Sequence, residues 1–194
     1  MTAFTPTHRS KVKRLHERGR YDEESVFAIL DAGILAHIGY VIDGQPYVTP
    51  TAYWRRGRTL YWHGSSASRM LRTQKVGIPA CVTVSLLDGL VVARSGFHHS
   101  VNYRAVMAFG RAHIVEDAKE KEAELEYFIE RIYPGRVATL HTVIDGCYRQ
   151  QPAAAVGVPP RPNSHRAIEL LLALPTSGSC QPGIRNQLIR ESSK

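Results

Sequence analysis

The chain has 194 residues, 43% of them hydrophobic, and a formal net charge of +8. That composition excludes a wholly disordered polymer and allows one domain with a sizeable core. No window approaches the roughly 18 continuous apolar residues of a membrane span, and the basic N-terminus lacks the apolar run of a secretory signal, so no membrane partner and a cytoplasmic location are expected.

Residues 1–20 form a basic leader, with six Lys or Arg against the single Glu17. A short helix follows, in which Asp22 can cap, Glu23 and Glu24 suit the positive end, and Val26, Ile29 and Leu30 line one face. Gly33 is the expected stop. From Ile34 the period becomes extended. ILAHIGYVI, Asp43-Gly44 and QPYVTPTAYW read as a hairpin around a tight turn, Arg56-Gly57 as the next break, and RTLYWHG as a third strand. SSASRMLRTQ reads as a loop entering a short helix. After Pro79, the runs ACVTVSLLD, LVVARSGF and VNYRAVMAFGRAHIV are rich in β-branched and aromatic residues, and Asp88-Gly89 is a second candidate hairpin turn.

A helix is expected from about Asp117 to Ile132, with Ala123, Leu125, Phe128, Ile129 and Ile132 as its apolar stripe and Pro134-Gly135 at its end. Residues 137–194 then hold six of the eleven prolines and one aromatic residue, Tyr148. This C-terminal segment is expected to be partly disordered, with AIELLLAL as an isolated helix. Five or six antiparallel strands with short helices between them predict a mainly β, α+β architecture, a closed or partly closed barrel over 21–136.

Charge and cysteines narrow the functions. The segment 21–136 carries thirteen basic and thirteen acidic residues, so the excess charge sits at the two ends and no specific nucleic-acid groove is expected. Cys81, Cys147 and Cys180 share no CxxC spacing, and Cys81 falls in an apolar run as a small core residue. There is no G-x-S-x-G elbow, no G-x-G-x-x-G and no P-loop.

Two segments can bear chemistry. In YWHGSSASRMLR, residues 61–72, a strand runs into small hydroxyl residues and a helix start, where Ser65, Ser66 and Ser68 can donate to an anion and Arg69 can grip a phosphate through two N–H groups. The competing reading is a capped surface helix with two solvated arginines. In HHSVNYR, residues 98–104, adjacent histidines point to opposite faces of a strand, so no shared metal is indicated, whereas His99 or Asn102 could face a ligand at a barrel mouth. His37, His63 and His113 read as partly buried strand residues.

The order of these segments resembles the flavin-nucleotide-binding branch of the pyridoxamine 5'-phosphate oxidase-like proteins, to which the nitroimidazole-resistance proteins are related. The residues that carry it are GQPYVTPT (44–51), HGSSASRMLR (63–72) and FHHSVNYRAVMAFGRA (97–112). The resemblance implies a six-stranded antiparallel split β-barrel, Greek-key-like, forming a homodimer with FMN at the subunit interface. It implies a phosphate held by Ser66, Ser68 and Arg69 with Arg72, and a flavin ring along Tyr61, Trp62 and His63 near Val48, Pro50 and Thr51. His99, Asn102 and Arg104 would approach from the partner subunit or close the pocket, with Arg104 as a cation for the reduced flavin. The activity implied is flavin-dependent oxidation or reduction of a small molecule. Two alternatives stand beside it: a flavin or haem carrier without turnover, with His63 or His99 as haem ligand, and a degenerate relative without cofactor. The second arises because the residues after 136 show no barrel-completing strand of the family's kind.

Overall fold

The computed structural model describes residues 3–140, 153–157 and 169–173. Helix α1, Glu23–Ala32, begins where the Asp22 carboxylate accepts the Ser25 N–H at 2.8 Å, and it buries Val26, Ile29 and Leu30. That hydrogen bond holds the Asp22 carboxyl below the usual carboxylate range. Folding lowers its pKa, so the cap stabilises the helix at neutral pH and its contribution is lost as pH falls through the folded-state value. Asp22→Ala should cost about 1 kcal/mol in urea unfolding at pH 7, and the gap to wild type should shrink on acidification.

Strand β1, Leu35–Ile42, turns into β2, Gln45–Arg56, through Asp43 and Gly44. Both turn residues have positive φ, 50° and 80°, which is the backbone a two-residue type I′ hairpin requires. β2 serves two partners in succession: residues 45–52 pair with β1, and Tyr53–Arg56 pair with β3, Thr59–His63. After α2, Arg69–Gln74, come the long strands β4, Ile78–Val91, and β5, Ser100–Ile114, and then α3, Ala118–Ile132.

With Ala153–Gly157 as β6, the sheet order β4-β1-β2-β3-β6-β5, with a further β4–β5 pairing, brings the last strand back to the first. Six antiparallel strands thus form the ring expected of the split barrel. Alternation along each strand sends Ala36, Ile38 and Tyr40 of β1, Val82 and Val84 of β4, and Val106 and Ala108 of β5 inward, where they meet Leu60, Trp62 and the buried face of α1. A smaller core of Trp54, Tyr61, Val115 and Leu125, with Phe128 against it, lies under α3.

Several expectations need correction. The stretch AAAVG, read as flexible, is strand β6, Ala153–Gly157, pairing Leu60 with Val156 and Ile114 with Ala154. Alanine is a poor strand former, and what selects it here is space: Ala153, Ala154 and Ala155 are buried where a larger side chain would strike the core. The barrel-completing strand is therefore present. Part of AIELLLAL is likewise a strand, β7, Glu169–Ala173, on the second edge of β5. The other C-terminal residues lie outside the described ones.

Asp88-Gly89 is no turn. β4 continues through it with a bulge between Leu87 and Gly89, and the reversal comes at residues 92–99. The basic leader packs on the domain: the Phe4 N–H donates to the Tyr21 carbonyl, Phe4 is buried, and Ser10 is fully buried beside Thr7. Cys81 sits half-buried on the outward side of β4, its thiol 3.8 Å from the Thr83 hydroxyl and raised in pKa by burial. In α3 the stripe includes Leu125, but Ala123 is exposed and Glu124 is buried instead. Its carboxylate accepts the Trp54 indole N–H at 3.0 Å and pairs with Arg56 at 2.8 Å, which is how a charge comes to lie in the smaller core.

Candidate functional site

The change of partner along β2 creates the site. Beyond Ala52, toward the Gln45 end, β3 no longer follows β2, and among the described residues no strand pairs with that edge. The loop 64–68 and the start of α2 face it instead. The Thr51 hydroxyl donates to the His63 carbonyl at 3.3 Å, and the Arg69 guanidinium donates to the Tyr47 hydroxyl at 3.3 Å while lying 4.5 Å over the Tyr47 ring. Two contacts thus span the gap, one at each end.

The loop's own backbone sets its shape. The Ser68 N–H donates to the Ser65 carbonyl at 2.8 Å, closing a tight turn with Ser66 at its exposed corner. The Ala67 N–H donates to the Ser65 hydroxyl at 3.2 Å, while Ser68, the residue preceding α2, makes no side-chain cap. A Cβ on Gly64 would come within 3.2 Å of Leu71, so a small residue lets the loop lie close over α2. α2 has only six residues, so its dipole is a weak anion attractor. Hydroxyls and guanidinium groups are the stronger donors here: Ser66, Ser68, Arg69 and Arg72 all lie on this turn and first helical turns, with Arg72 exposed.

Across the gap, Tyr40 and Tyr47 stack at 5.7 Å and 18°, and the Tyr40 and Thr49 hydroxyls are 3.0 Å apart. Tyr47, Thr49 and Thr51 share one face of β2, whereas Val48 and Pro50 lie on the other. The sequence-derived site thus mixed two faces. Counting back from Thr51 in steps of two finds Tyr47 and Thr49, which the motif alone did not mark.

The remaining candidates distribute as follows. Tyr61 and Trp62 are both buried, Tyr61 against Trp54 at 5.7 Å in the smaller core and Trp62 in the main one, so neither presents a free ring to a ligand. Burial raises the Tyr61 pKa, with the Glu124 and Glu120 charges adding to it. His63 is half-buried, its ring 5.4 Å from Phe128 and 6.2 Å from Trp54. Asn102 and Arg104 lie on the distal part of the β4–β5 hairpin, beyond the stretch of β4 that pairs with β1. Arg104 binds Asp88 through two nitrogens at 2.8–3.1 Å, which holds the Asp88 carboxyl below its ordinary range. The guanidinium is thereby committed to its own hairpin. His99 stands at the exposed end of that hairpin.

One outward surface completes the picture. Gly39, Val41, Val48, Pro79, Cys81 and Phe109 floor a groove of about 540 Å³ on the outside of the sheet, with Arg9 and Arg111 at its rim. Exposed Ile34, Leu35, Val41 and Val48 extend this apolar face along β1 and β2. Among the described residues no helix is long and apolar enough to cross a membrane.

For a flavin phosphate the donor set is chemically suited: one turn and the helix after it carry two serine hydroxyls and two guanidinium groups, and the Ser68 hydroxyl is not used by the helix it precedes. The tyrosine-and-threonine face of β2 offers an amphipathic wall next to it. The family model described as pyridoxamine 5'-phosphate oxidase matches residues 22–158. The flavocytochrome Anf3 from Azotobacter vinelandii is 35% identical over 98% of this chain and 91% of its own, with a TM-score of 0.73. The FAD and haem binding protein from Mycobacterium smegmatis is 31% identical over 82% and 74%, also at 0.73. A protein from Bacteroides thetaiotaomicron named for 5-nitroimidazole antibiotic resistance shares the fold at 20% identity, over 81% and 88%, with a TM-score of 0.59. No curated protein matches the chain in sequence.

Proposed function

The chain belongs to the pyridoxamine 5'-phosphate oxidase family, and from that premise we propose that it binds a flavin, FMN in the first instance, in the gap between β2 and the 64–69 loop. The observation that carries this reading is the Arg69 guanidinium held over Tyr47 at the rim of a serine-rich turn. Ser66, Ser68, Arg69 and Arg72 hold the phosphate, and Tyr47, Thr49 and Thr51 border the ring. When bound, the flavin supplies two-electron chemistry toward a small molecule. The chain's residues would contribute position and electrostatics: the serines and arginines would hold the anionic end, and Tyr47, Thr49 and Thr51 would border the ring.

A second copy of the chain is the proposed partner for the apolar outer face of β1, β2 and β4. A homodimer would cover Leu35, Val41 and Val48. A second reading, haem binding, draws on the relatives named for it and on the anchored placement of the His99 imidazole described below.

The deciding measurement is the visible spectrum of the purified protein after mixing with FMN, and separately FAD, followed by gel filtration. Paired flavin bands should co-elute with protein at the volume of a dimer. A colourless protein peak with both flavins would overturn the proposal.

A further inference from the structure

We propose that His99 is an axial haem ligand and that the distal ribbon of β4 and β5 is the surface on which the porphyrin lies. This rests on the haem reading above and deepens it to a residue and a surface.

The first observation is the tautomer. His99 Nδ1 lies 3.2 Å from the carbonyl oxygens of both Ser95 and Gly96. Carbonyls only accept, so Nδ1 is the donor in this pair of contacts, and in the neutral ring Nε2 is left with the lone pair. A metal-bound histidine needs this state, with the second ring nitrogen anchored to a backbone acceptor that fixes the ring's orientation. The side chain is exposed, so the lone pair is accessible.

The second observation is the surface beside it. In extended chain, His99, Val101 and Tyr103 fall on one face. Across the ladder, Val101 pairs with Leu90 and Tyr103 with Leu87. All four are exposed, between 38% and 67%, and Phe97 at the tip is 93% exposed. A two-stranded ribbon gains nothing from showing water this much apolar surface, and such a patch marks a place where something binds. This exposed apolar stripe, with one imidazole at its end, offers contacts to an apolar ring.

The third observation separates haem from a bare ion. Among the described residues no three His, Cys, Asp or Glu side chains could hold a metal together. An ion bound by protein alone needs three or four such donors, whereas a porphyrin brings four nitrogens and leaves one position for a single imidazole. His63 is the weaker candidate, because its ring is wedged beside Trp54 and Phe128 and a porphyrin there would have to displace α3. His98 packs edge-on against Phe97 at 5.6 Å.

The test is haemin titration of the full chain, wild type against His99→Ala, His63→Ala, His98→Ala and Val101→Glu, read by the Soret band. Wild type should bind with a sharpened, red-shifted band. His99→Ala should bind at least about tenfold more weakly and lose the shift, and added imidazole should restore it. Val101→Glu should weaken binding with the band shape kept, and His63→Ala and His98→Ala should match wild type. Haem bound by wild type and His99→Ala alike would overturn this assignment alone, whereas a wild-type chain that binds no haem overturns the haem reading itself. All but His63 are exposed side chains, so the variants should fold, and unchanged thermal melting checks it.

Discussion

The double variant Ser68→Ala/Arg69→Ala should lose about 3–5 kcal/mol of flavin affinity, from two charge-assisted contacts to a phosphate at roughly 1.5–3 kcal/mol each. That is a weakening of roughly two to four powers of ten in Kd. The change should touch binding and leave stability alone, because the turn is held by its backbone: Ser68 N–H to Ser65, Arg72 N–H to Ser68. The Arg69–Tyr47 contact is exposed and contributes little to folding. Arg69→Lys should fall between, since lysine keeps the charge and loses the planar fork. Riboflavin, which has no phosphate, separates the effects further: it should bind wild type and the double variant equally. Equal FMN affinity in wild type and double variant, measured by quenching of flavin fluorescence, would move the phosphate elsewhere.

How far the sequence announced this site depends on the kind of signal each residue gives. The Asp43-Gly44 turn was legible because both residues must take positive φ, and few pairs do so readily. The Asp22 cap was legible for a similar reason, since a short acceptor before an apolar stripe has few other uses. Asp88-Gly89 misled because the same dipeptide can be a turn or a bulge, and the choice is made by thirteen paired positions between β4 and β5 that lie outside any local window. Glu124 misled because a carboxylate in an apolar stripe reads as a surface residue until its indole partner, seventy positions away, is known. Val48 and Pro50 were grouped with Thr51 because a motif is contiguous, whereas a strand gives alternate residues to opposite faces.

The largest gap concerned the C-terminal part. Its prolines and low aromatic content pointed to disorder, and AAAVG has the wrong propensity for a strand. Tertiary space overrode propensity there, and the consequence is open to direct measurement. Val156 is fully buried, faces the main core and pairs with Leu60. Val156→Asp should destabilise the fold by at least about 4 kcal/mol, combining roughly 1.5–3 kcal/mol of lost apolar burial with the cost of a carboxylate that has no partner. For a domain of this size that corresponds to a fall in Tm of roughly 10 °C or more, or to outright failure to fold if total stability lies near the roughly 5 kcal/mol lower end of the usual range. Val76→Asp, at a residue 81% exposed, is the matched control and should melt like wild type. The sign also depends on pH: burial disfavours the charged form of the new carboxyl, so Val156→Asp should regain some stability as acidification neutralises it. Were Val156→Asp to melt with wild type, β6 would not be part of the barrel in solution. β3 would then present an open edge, and the site's outer wall would lose its support.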